Sequence, residues 1–202
     1  MKNIHETLRI SEENPFKVAE EWIDQAKVAE TVDYNAMSLA TSDPDGMPNV
    51  RMVLLKGFDD RGFVFYTNMT SAKGGEILRN PKAAINFHWK SLARCLRARG
   101  QLERGTDAES DAYFQSRSRG SRLASMASDQ SSPLASRADL MTRVKALEDA
   151  HGATDETGEV LTRPDHWYGH RLEPTYIEFW QDGEFRMHGR FAFRRAKESD
   201  AW

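Results

Sequence analysis

Residues 51–56 combine two cations, Arg51 and Lys56, with an apolar run between them. Such a run predicts a β-strand, on which successive side chains point to opposite faces. Arg51 and Lys56 are therefore expected to point in opposite directions. Both side chains are suited to phosphate, but strand-end cations that only reach water give the same pattern and are common, and the segment taken alone favours that interpretation.

Lys73 lies in the first turn of a helix that Ser71 is predicted to cap. The free N–H groups and the dipole of a helix N-terminus attract anions and disfavour a cation. A bound anion would remove this conflict, whereas a solvated lysine tolerates it at a cost of roughly 0.3 kcal/mol. The residue types leave both interpretations open.

Two polar segments in the second half of the chain also have the composition of a phosphate site. Residues 113–121 contain two arginines, three serines and a glycine, and residues 129–132 add further hydroxyl groups. Guanidinium forks and hydroxyl groups bind phosphate oxygens well. A basic surface loop has the same composition, and the second segment alone indicates only a turn or a cap.

Residues 185–190 form the most unusual segment. If this segment is a strand, Arg186, His188 and Arg190 share one face. Two cations and an imidazole side by side repel one another unless an anionic or electron-rich group lies across them. An exposed face screened by solvent is the alternative, but the pattern favours a binding function.

Composition excludes several classes of protein. The chain has 202 residues, 39% hydrophobic and 29% charged, which indicates a folded domain, and its net charge of -3 does not suit a nucleic-acid-binding polycation. The single cysteine, Cys95, cannot form an intramolecular disulfide, and no apolar run is long enough for a bilayer or a signal peptide. We therefore expect a cytoplasmic location and no membrane partner. The sequence has no dinucleotide or P-loop fingerprint, no nucleophile elbow and no zinc-type spacing, so no metal is predicted.

Hydrophobic periodicity and turn residues predict the elements that must position these groups. Residues 1–202 are expected to form one domain, with residues 1–14 as a flexible arm and residues 151–164 as an exposed loop. Strands are predicted over 36–41, 50–58, 63–67, 83–89 and 95–102, and a hairpin over 176–180 and 185–193. Helices are predicted from Pro15 onward and over 71–79, 107–115 and 136–150.

These elements predict a fold that is mainly β with peripheral helices. The short turns at 43–46 and 59–62 predict that the first three strands form an antiparallel meander. A sheet of six or seven mostly antiparallel strands often closes into a small barrel, which removes its exposed edges.

Taken in chain order, the motifs resemble the pyridoxamine 5′-phosphate oxidase family. The matching segments are RMVLLK at 51–56, FYTN at 65–68, SAK at 71–73, YFQSR at 113–117, QS at 130–131, IEFW at 177–180 and RMHGR at 186–190. The resemblance extends over residues 15–202. It implies an FMN-binding split β-barrel of antiparallel Greek-key type that forms a homodimer with FMN at the subunit interface.

The resemblance also implies an activity in vitamin B6 metabolism. The family oxidises pyridoxamine 5′-phosphate or pyridoxine 5′-phosphate to pyridoxal 5′-phosphate, with O2 as electron acceptor and H2O2 as product. The alternatives are a flavoenzyme of the same fold with another substrate, similar to the phenazine-biosynthesis oxidases, and a non-catalytic protein that binds FMN or pyridoxal 5′-phosphate.

Residue roles follow from the resemblance alone. It assigns FMN contacts to Arg51, Met52, Val53, Leu54, Leu55, Lys56, Tyr66, Thr67, Ser71, Ala72, Lys73, Cys95, Gln130, Ser131, Trp180 and Arg190. It assigns substrate contacts to Lys56, Tyr113, Arg117, Ser121, Arg186 and His188, of which the last two orient the reacting carbon and form the catalytic pair. The chain departs from the family pattern at Ala72, Cys95 and Gly189, where the family usually has Arg, Gln and Asp.

Overall fold

The computed structural model describes residues 13–156 and 159–202. The predicted arm over residues 1–14 lies almost entirely outside these ranges and stays a prediction. None of the helices in the described ranges is both long enough and apolar enough to cross a membrane.

The first helix, α1 (Pro15–Ala29), begins where the sequence predicts it. The side chain of Asn14 accepts a hydrogen bond from the Phe16 N–H at 2.9 Å, and Pro15 occupies the first turn, where no N–H is needed. Phe16, Ala19 and Trp22 are buried and pack with the main hydrophobic core. This amphipathic helix therefore covers one side of the sheet.

Eight strands form one antiparallel sheet in the described chain. They are β1 (Ala36–Ser42), β2 (Pro48–Leu54), β3 (Gly57–Asp59), β4 (Gly62–Asn68), β5 (Lys82–Trp89), β6 (Arg94–Arg104), β7 (Trp167–Gln181) and β8 (Gly189–Arg194). The sheet order is β2-β1-β5-β6-β7-β4-β3, and β8 also pairs with β7. The predicted class, an antiparallel sheet with peripheral helices, is confirmed.

The other helices are α2 (Ala72–Arg79), α3 (Asp107–Ser116), α4 (Arg119–Ala127) and α5 (Arg137–His151). Helix α3 begins with a capping box in which Thr106 and Glu109 satisfy each other's backbone N–H groups. Helix α4 is absent from the sequence prediction, which left its residues as a basic loop. It has no side-chain N-cap bond and follows α3 after two residues, so the usual start signal is missing.

The predicted strand over 50–58 is wrong because the chain breaks at Leu55 and Lys56. The Leu55 N–H donates to the Asn35 carbonyl, but the Lys56 N–H donates to the Val64 carbonyl on β4. The chain thus leaves β1 and joins β4 within two residues. The predicted three-strand meander is wrong for the same reason: β1–β2 and β3–β4 are separate hairpins at opposite ends of the sheet order. Since β2 also contacts β4, the sheet curls.

Strand β7 is far longer than the predicted 176–180, with 15 residues. One edge pairs with β6 along almost its whole length; the other pairs first with β4 and then with β8. Pro174 lies in the gap between the β4 and β8 pairings, so its missing N–H costs no hydrogen bond on that edge. Opposite it, the β6 register shifts at Arg99/Gly100.

The predicted strand over 185–193 begins too early. Residues Glu184–Arg186 form a 3-10 turn, and Phe185 and Arg186 have positive φ angles of 54° and 65°. Strand β8 starts only at Gly189. Arg186, His188 and Arg190 therefore do not share one strand face, which corrects the sequence interpretation.

A second hydrophobic cluster lies apart from the main core. It contains Phe114 from α3, Leu123 from α4, Trp167 from β7 and Leu161. Leu161 belongs to the predicted exposed loop over 151–164, yet it is only 1% exposed. The buried Arg119 donates to backbone carbonyls of this segment, which ties the segment to α4.

The bulge on β6 generates a stability prediction. A Cβ on Gly100 would lie 1.9 Å from the Glu173 carbonyl oxygen, which is backbone and cannot swing away. We expect Gly100→Ala to lower the free energy of unfolding by about 2 kcal/mol or more in urea titrations. Gly120→Ala on α4 is the control, because no atom of the described residues would lie within 4 Å of the added Cβ. It should leave stability unchanged or raise it by up to about 1 kcal/mol. Equal stability of the two variants would contradict the proposed contact.

Candidate active site

A cavity of about 780 Å³ opens between the curled sheet and helices α2 to α4. Most of the predicted site residues line it. These are Arg51, Met52, Val53, Leu54, Lys56, Tyr66, Thr67, Ala72, Lys73, Tyr113, Arg117, Ser121, Gln130 and Ser131. Segments far apart in sequence are thus brought to one site by the fold.

Arg51 is held at the β2 wall of this cavity. Its guanidinium donates to the Leu39 carbonyl at 3.1 Å, to Thr41 Oγ1 at 2.5 Å and to Glu76 Oε2 at 2.9 Å. Burial alone would raise the pKa of the Glu76 carboxyl, but hydrogen bonds from Thr41, Asn49 and Arg51 hold it below its ordinary value. Glu76 is therefore an ionised partner for Arg51.

Lys73 extends from the first turn of α2, which Ser71 caps by accepting from the Gly74 N–H. Its ammonium donates to Ser71 Oγ at 3.1 Å and to Gln130 Oε1 at 2.6 Å. Burial, together with the nearby Arg51 charge, lowers the pKa of Lys73 to about 8, although Glu76 opposes this shift. Burial and a neighbouring cation thus destabilise the charged form of Lys73. Lys73 is therefore a good anion ligand, because an anion would offset both effects.

Arg51 and Lys56, which the sequence predicts to point in opposite directions, lie on either side of the strand break at Leu55 and Lys56. Both residues line the same cavity. The strict alternation holds only within a strand, and the break after Leu54 resets the direction of Lys56. One cavity therefore contains both cations.

An aromatic stack forms the opposite wall. The rings of Tyr66 and Tyr113 stack at 3.9 Å, and Trp167 stacks on Tyr66 at 5.0 Å. Arg117 lies over the Trp167 ring at 5.0 Å and donates to Ser125 Oγ at 2.7 Å. A planar ring face and a guanidinium are thus adjacent, an arrangement suited to an aromatic ligand that carries an anion.

Thr67 supplies a test of whether the cavity fits a polar ligand. It is 3% exposed, and its hydroxyl is buried without a hydrogen-bond partner among the described residues. A buried hydroxyl without a partner is costly, so a group that restores the bond stabilises the protein. Because Thr67 also lines the cavity, the residues present fit a ligand with polar atoms.

Five predicted residues lie outside the cavity: Cys95 on β6, Trp180 on β7, Arg190 on β8, and Arg186 and His188 between β7 and β8. The buried carboxylate of Glu178 holds Arg190 at 2.5 Å and also binds Arg97. The rings of Trp180 and His188 are 4.7 Å apart. These five residues are called the second cluster below, in contrast to the cavity residues, and within one chain they lie apart from the cavity.

Two further predicted residues, Leu55 and Ser71, are buried and have structural roles, since Leu55 belongs to the core and Ser71 caps α2. Sequence reasoning missed several cavity residues: Asn49, Asn68, Ala124, Ser125, Ser128 and Trp167. Asn49 follows a turn and Ser125 lies in the unpredicted α4, so no local signal marked them. Glu76 could have been found, because it lies one helical turn after Lys73.

Two family profiles match this chain. Residues 23–149 match the family described as pyridoxamine 5′-phosphate oxidase. Residues 167–202 match the region described as the pyridoxine 5′-phosphate oxidase C-terminal dimerisation region. The first match contains the cavity residues on β2 to α4, and the second contains the Trp180–Arg190 side of the second cluster.

Curated bacterial proteins are similar to this protein over nearly the whole chain. The pyridoxine/pyridoxamine 5′-phosphate oxidase of Rhizobium leguminosarum bv. trifolii is 56% identical over 188 residues, which covers 93% of this chain and 89% of that protein. The protein of the same name from Azorhizobium caulinodans is 52% identical, with 94% and 87% covered.

Solved structures share the fold. PhzG from Burkholderia lata 383, in complex with tetrahydrophenazine-1-carboxylic acid, has a TM-score of 0.86 and 29% identity and covers 95% of this chain and 93% of its own. A pyridoxamine 5′-phosphate oxidase-related, FMN binding protein from Nostoc punctiforme has a TM-score of 0.63 at 16% identity, with 89% and 96% covered, and supports the fold alone. Motif order, fold and family profiles agree, and the chain belongs to the pyridoxamine 5′-phosphate oxidase family.

Proposed function

We propose that this protein is an FMN-dependent oxidase that converts pyridoxamine 5′-phosphate or pyridoxine 5′-phosphate to pyridoxal 5′-phosphate. The observation that carries the proposal is the presence of four cationic side chains in one cavity, Arg51, Lys56, Lys73 and Arg117. We assign them to two phosphates, Arg51 with Lys73 to one and Lys56 with Arg117 to the other. The volume of about 780 Å³ is in the range of small-molecule and cofactor sites.

Arg51, Lys73, Gln130 and Ser131 are proposed to hold FMN through its phosphate and ribityl chain. When bound, FMN would accept a hydride from the substrate carbon and pass the electrons to O2. The protein supplies position and charge for this chemistry. The Thr67 hydroxyl, which has no hydrogen-bond partner among the described residues, and the lowered pKa of Lys73, caused by burial and by Arg51, support a polar, anionic cofactor at this wall.

Lys56, Tyr113, Arg117 and Ser121 are proposed to bind the substrate phosphate. Arg117 is fixed by Ser125 and by the Trp167 ring, so its guanidinium loses little freedom on binding. Ser121 and Ser125 lie on α4, one turn apart, beside it. A phosphate site on this wall is distinct from the Arg51–Lys73 group on the other.

The second cluster is proposed to complete the site from a partner subunit. Trp167 lines the cavity, and Trp180 lies on the same curled strand after roughly 40 Å of its length. Residues 167–202 match a dimerisation region, and Trp180, Arg186, His188 and Arg190 all belong to it. In a two-fold dimer each chain would give these residues to the other's cavity, with FMN at the interface and Arg186 and His188 near the substrate ring. A cytoplasmic location belongs to the same proposal.

A flavoenzyme of the same fold with another substrate is the second candidate. The similarity to PhzG in complex with a phenazine carboxylic acid favours it. Its 29% identity is well below the 50–56% of the curated oxidases. The Lys56–Arg117 group further favours a phosphorylated substrate.

The first experiment tests the reaction itself. The purified protein should be yellow, and pyridoxine 5′-phosphate should bleach it in the absence of oxygen, because electrons then stay on the flavin. Air should restore the colour, with one H2O2 and one pyridoxal 5′-phosphate per turnover. A yellow protein that ignores this substrate favours the second candidate. A colourless protein that cannot be reconstituted with FMN contradicts flavin binding.

The second experiment tests the shared site by complementation. Arg117→Ala disables the cavity side and Arg190→Ala disables the C-terminal side, so each variant alone should be nearly inactive. Co-expression should restore about a quarter of the wild-type activity, because half of the dimers are mixed and each has one intact site. A site built within a single chain would give no recovery.

The third experiment uses the pKa of Lys73, which is about 8 in the flavin-free protein. A bound phosphate would raise this pKa, so binding takes up a proton only above about pH 8. Affinity for FMN should therefore be constant below about pH 8 and fall above it, by at most about tenfold per pH unit. Fluorescence titrations of the apoprotein at about pH 7 and about pH 9 measure this.

Lys73→Arg is the matched variant, since a guanidinium stays charged over this range. Its affinity for FMN should be the same at both values of pH. A wild-type affinity that does not change between them would show that Lys73 does not contact the phosphate.

A further inference from the structure

The hydrogen bonds that hold the Arg51 guanidinium use only some of its N–H donors. It has five N–H donors, two on Nη1, two on Nη2 and one on Nε. Nη1 donates to the Leu39 carbonyl and to Thr41 Oγ1, and Nη2 donates once to Glu76 Oε2. Within the described ranges no hydrogen bond uses Nε. One Nη2–H and the Nε–H are therefore left.

The acceptors that hold Arg51 are themselves fixed by three elements. The Thr41 hydroxyl on β1 donates to Glu76 Oε2 on α2, and Asn49 on β2 donates to Glu76 Oε1 at 2.9 Å. Thr41 and Asn49 are direct partners in the β1–β2 register. Thr41 is 3% exposed, so this contact is inside the protein. Neither Thr41 nor Glu76 lines the cavity, whereas Arg51 does.

The remaining donors have a defined use. The Nε–H and one Nη2–H lie along the same edge of the planar guanidinium, parallel to each other, which is the geometry of a bidentate bond to phosphate. We propose that Thr41 and Glu76 are positioning residues. They hold the Arg51 guanidinium through Nη1 and through one N–H of Nη2, so that the edge formed by Nε–H and the other Nη2–H is presented to a phosphate. The inference rests on the proposed function, in which that phosphate is the one of FMN.

Two physical effects explain how the contacts of Thr41 and Glu76 with Arg51 would strengthen phosphate binding. A long side chain that is already immobilised loses little conformational entropy when the ligand binds. Glu76 also counters the repulsion between Arg51 and Lys73, since its charge favours the protonated form of Lys73. The two cations can then face one anion from the same wall. Thr41 contributes the first effect without changing the charge of the site.

Thr41→Val tests the inference, because valine has nearly the same shape and no hydroxyl. Apoprotein is titrated with FMN and with riboflavin, which has the same ring and no phosphate, and flavin fluorescence is followed. We expect the Kd for FMN to rise about tenfold, as for the loss of one well-placed charged hydrogen bond. The Kd for riboflavin should not change. Thr41→Ser, which keeps the hydroxyl, should restore FMN binding.

The other outcomes separate the inference from the proposed function. If Thr41→Val weakens FMN and riboflavin equally, the hydroxyl has only a structural role and the inference is overturned. An unchanged Kd for FMN overturns it as well. A wild-type protein that binds neither flavin contradicts the proposed function itself. The melting temperatures of the three proteins, measured in parallel, show whether each variant is folded at the temperature of the titration.

Discussion

The pairing of β7 with three strands is the constraint on which the rest of the structure depends. One edge is occupied by β6, and the other is divided between β4 and β8. The β4 part of β7 carries Trp167 into the cavity, and the β8 part carries Trp180 and Glu178 to the other cluster. The same strand thus separates two sets of proposed site residues within a chain, and in the proposed dimer each chain would bring its second set to the other's cavity.

A carboxylate holds an arginine in each of the two clusters. Glu76 binds Arg51 on the cavity side, and Glu178, only 2% exposed, binds Arg190 on the other. An uncompensated buried charge is costly, so each pair fixes its arginine firmly once the fold has formed. The protein therefore maintains cations in place at the cost of partly neutralising them. A ligand would therefore benefit more from the fixed orientation of these guanidinium groups than from their net charge.

Much of the fold follows from local patterns in the sequence. The Asn14–Pro15 start, the Asp43–Gly46 turn and the regular alternation of β5 all predicted elements that the structure confirms. The errors share one cause, because tertiary pairing overrides local pattern. Leu55 and Lys56 fit a strand, but they are where the chain changes partners. Positive φ angles at Phe185 and Arg186 have no signal in residues that are not glycine. For the site, motif order pointed to many of the residues that line the cavity, whereas the contacts of Thr41 and Glu76 with Arg51 join different elements and no motif records them.

The raised pKa of the Cys95 thiol has a chemical consequence for an oxidase. Burial is its main cause, and Glu178 adds to it against the opposing effect of Arg97. Peroxides attack the thiolate and react slowly with the neutral thiol. An oxidase of the proposed kind would produce H2O2, which oxidises a cysteine faster when more of the thiol is ionised. The raised pKa lowers the thiolate fraction of Cys95 and would therefore slow its oxidation in the proposed oxidase.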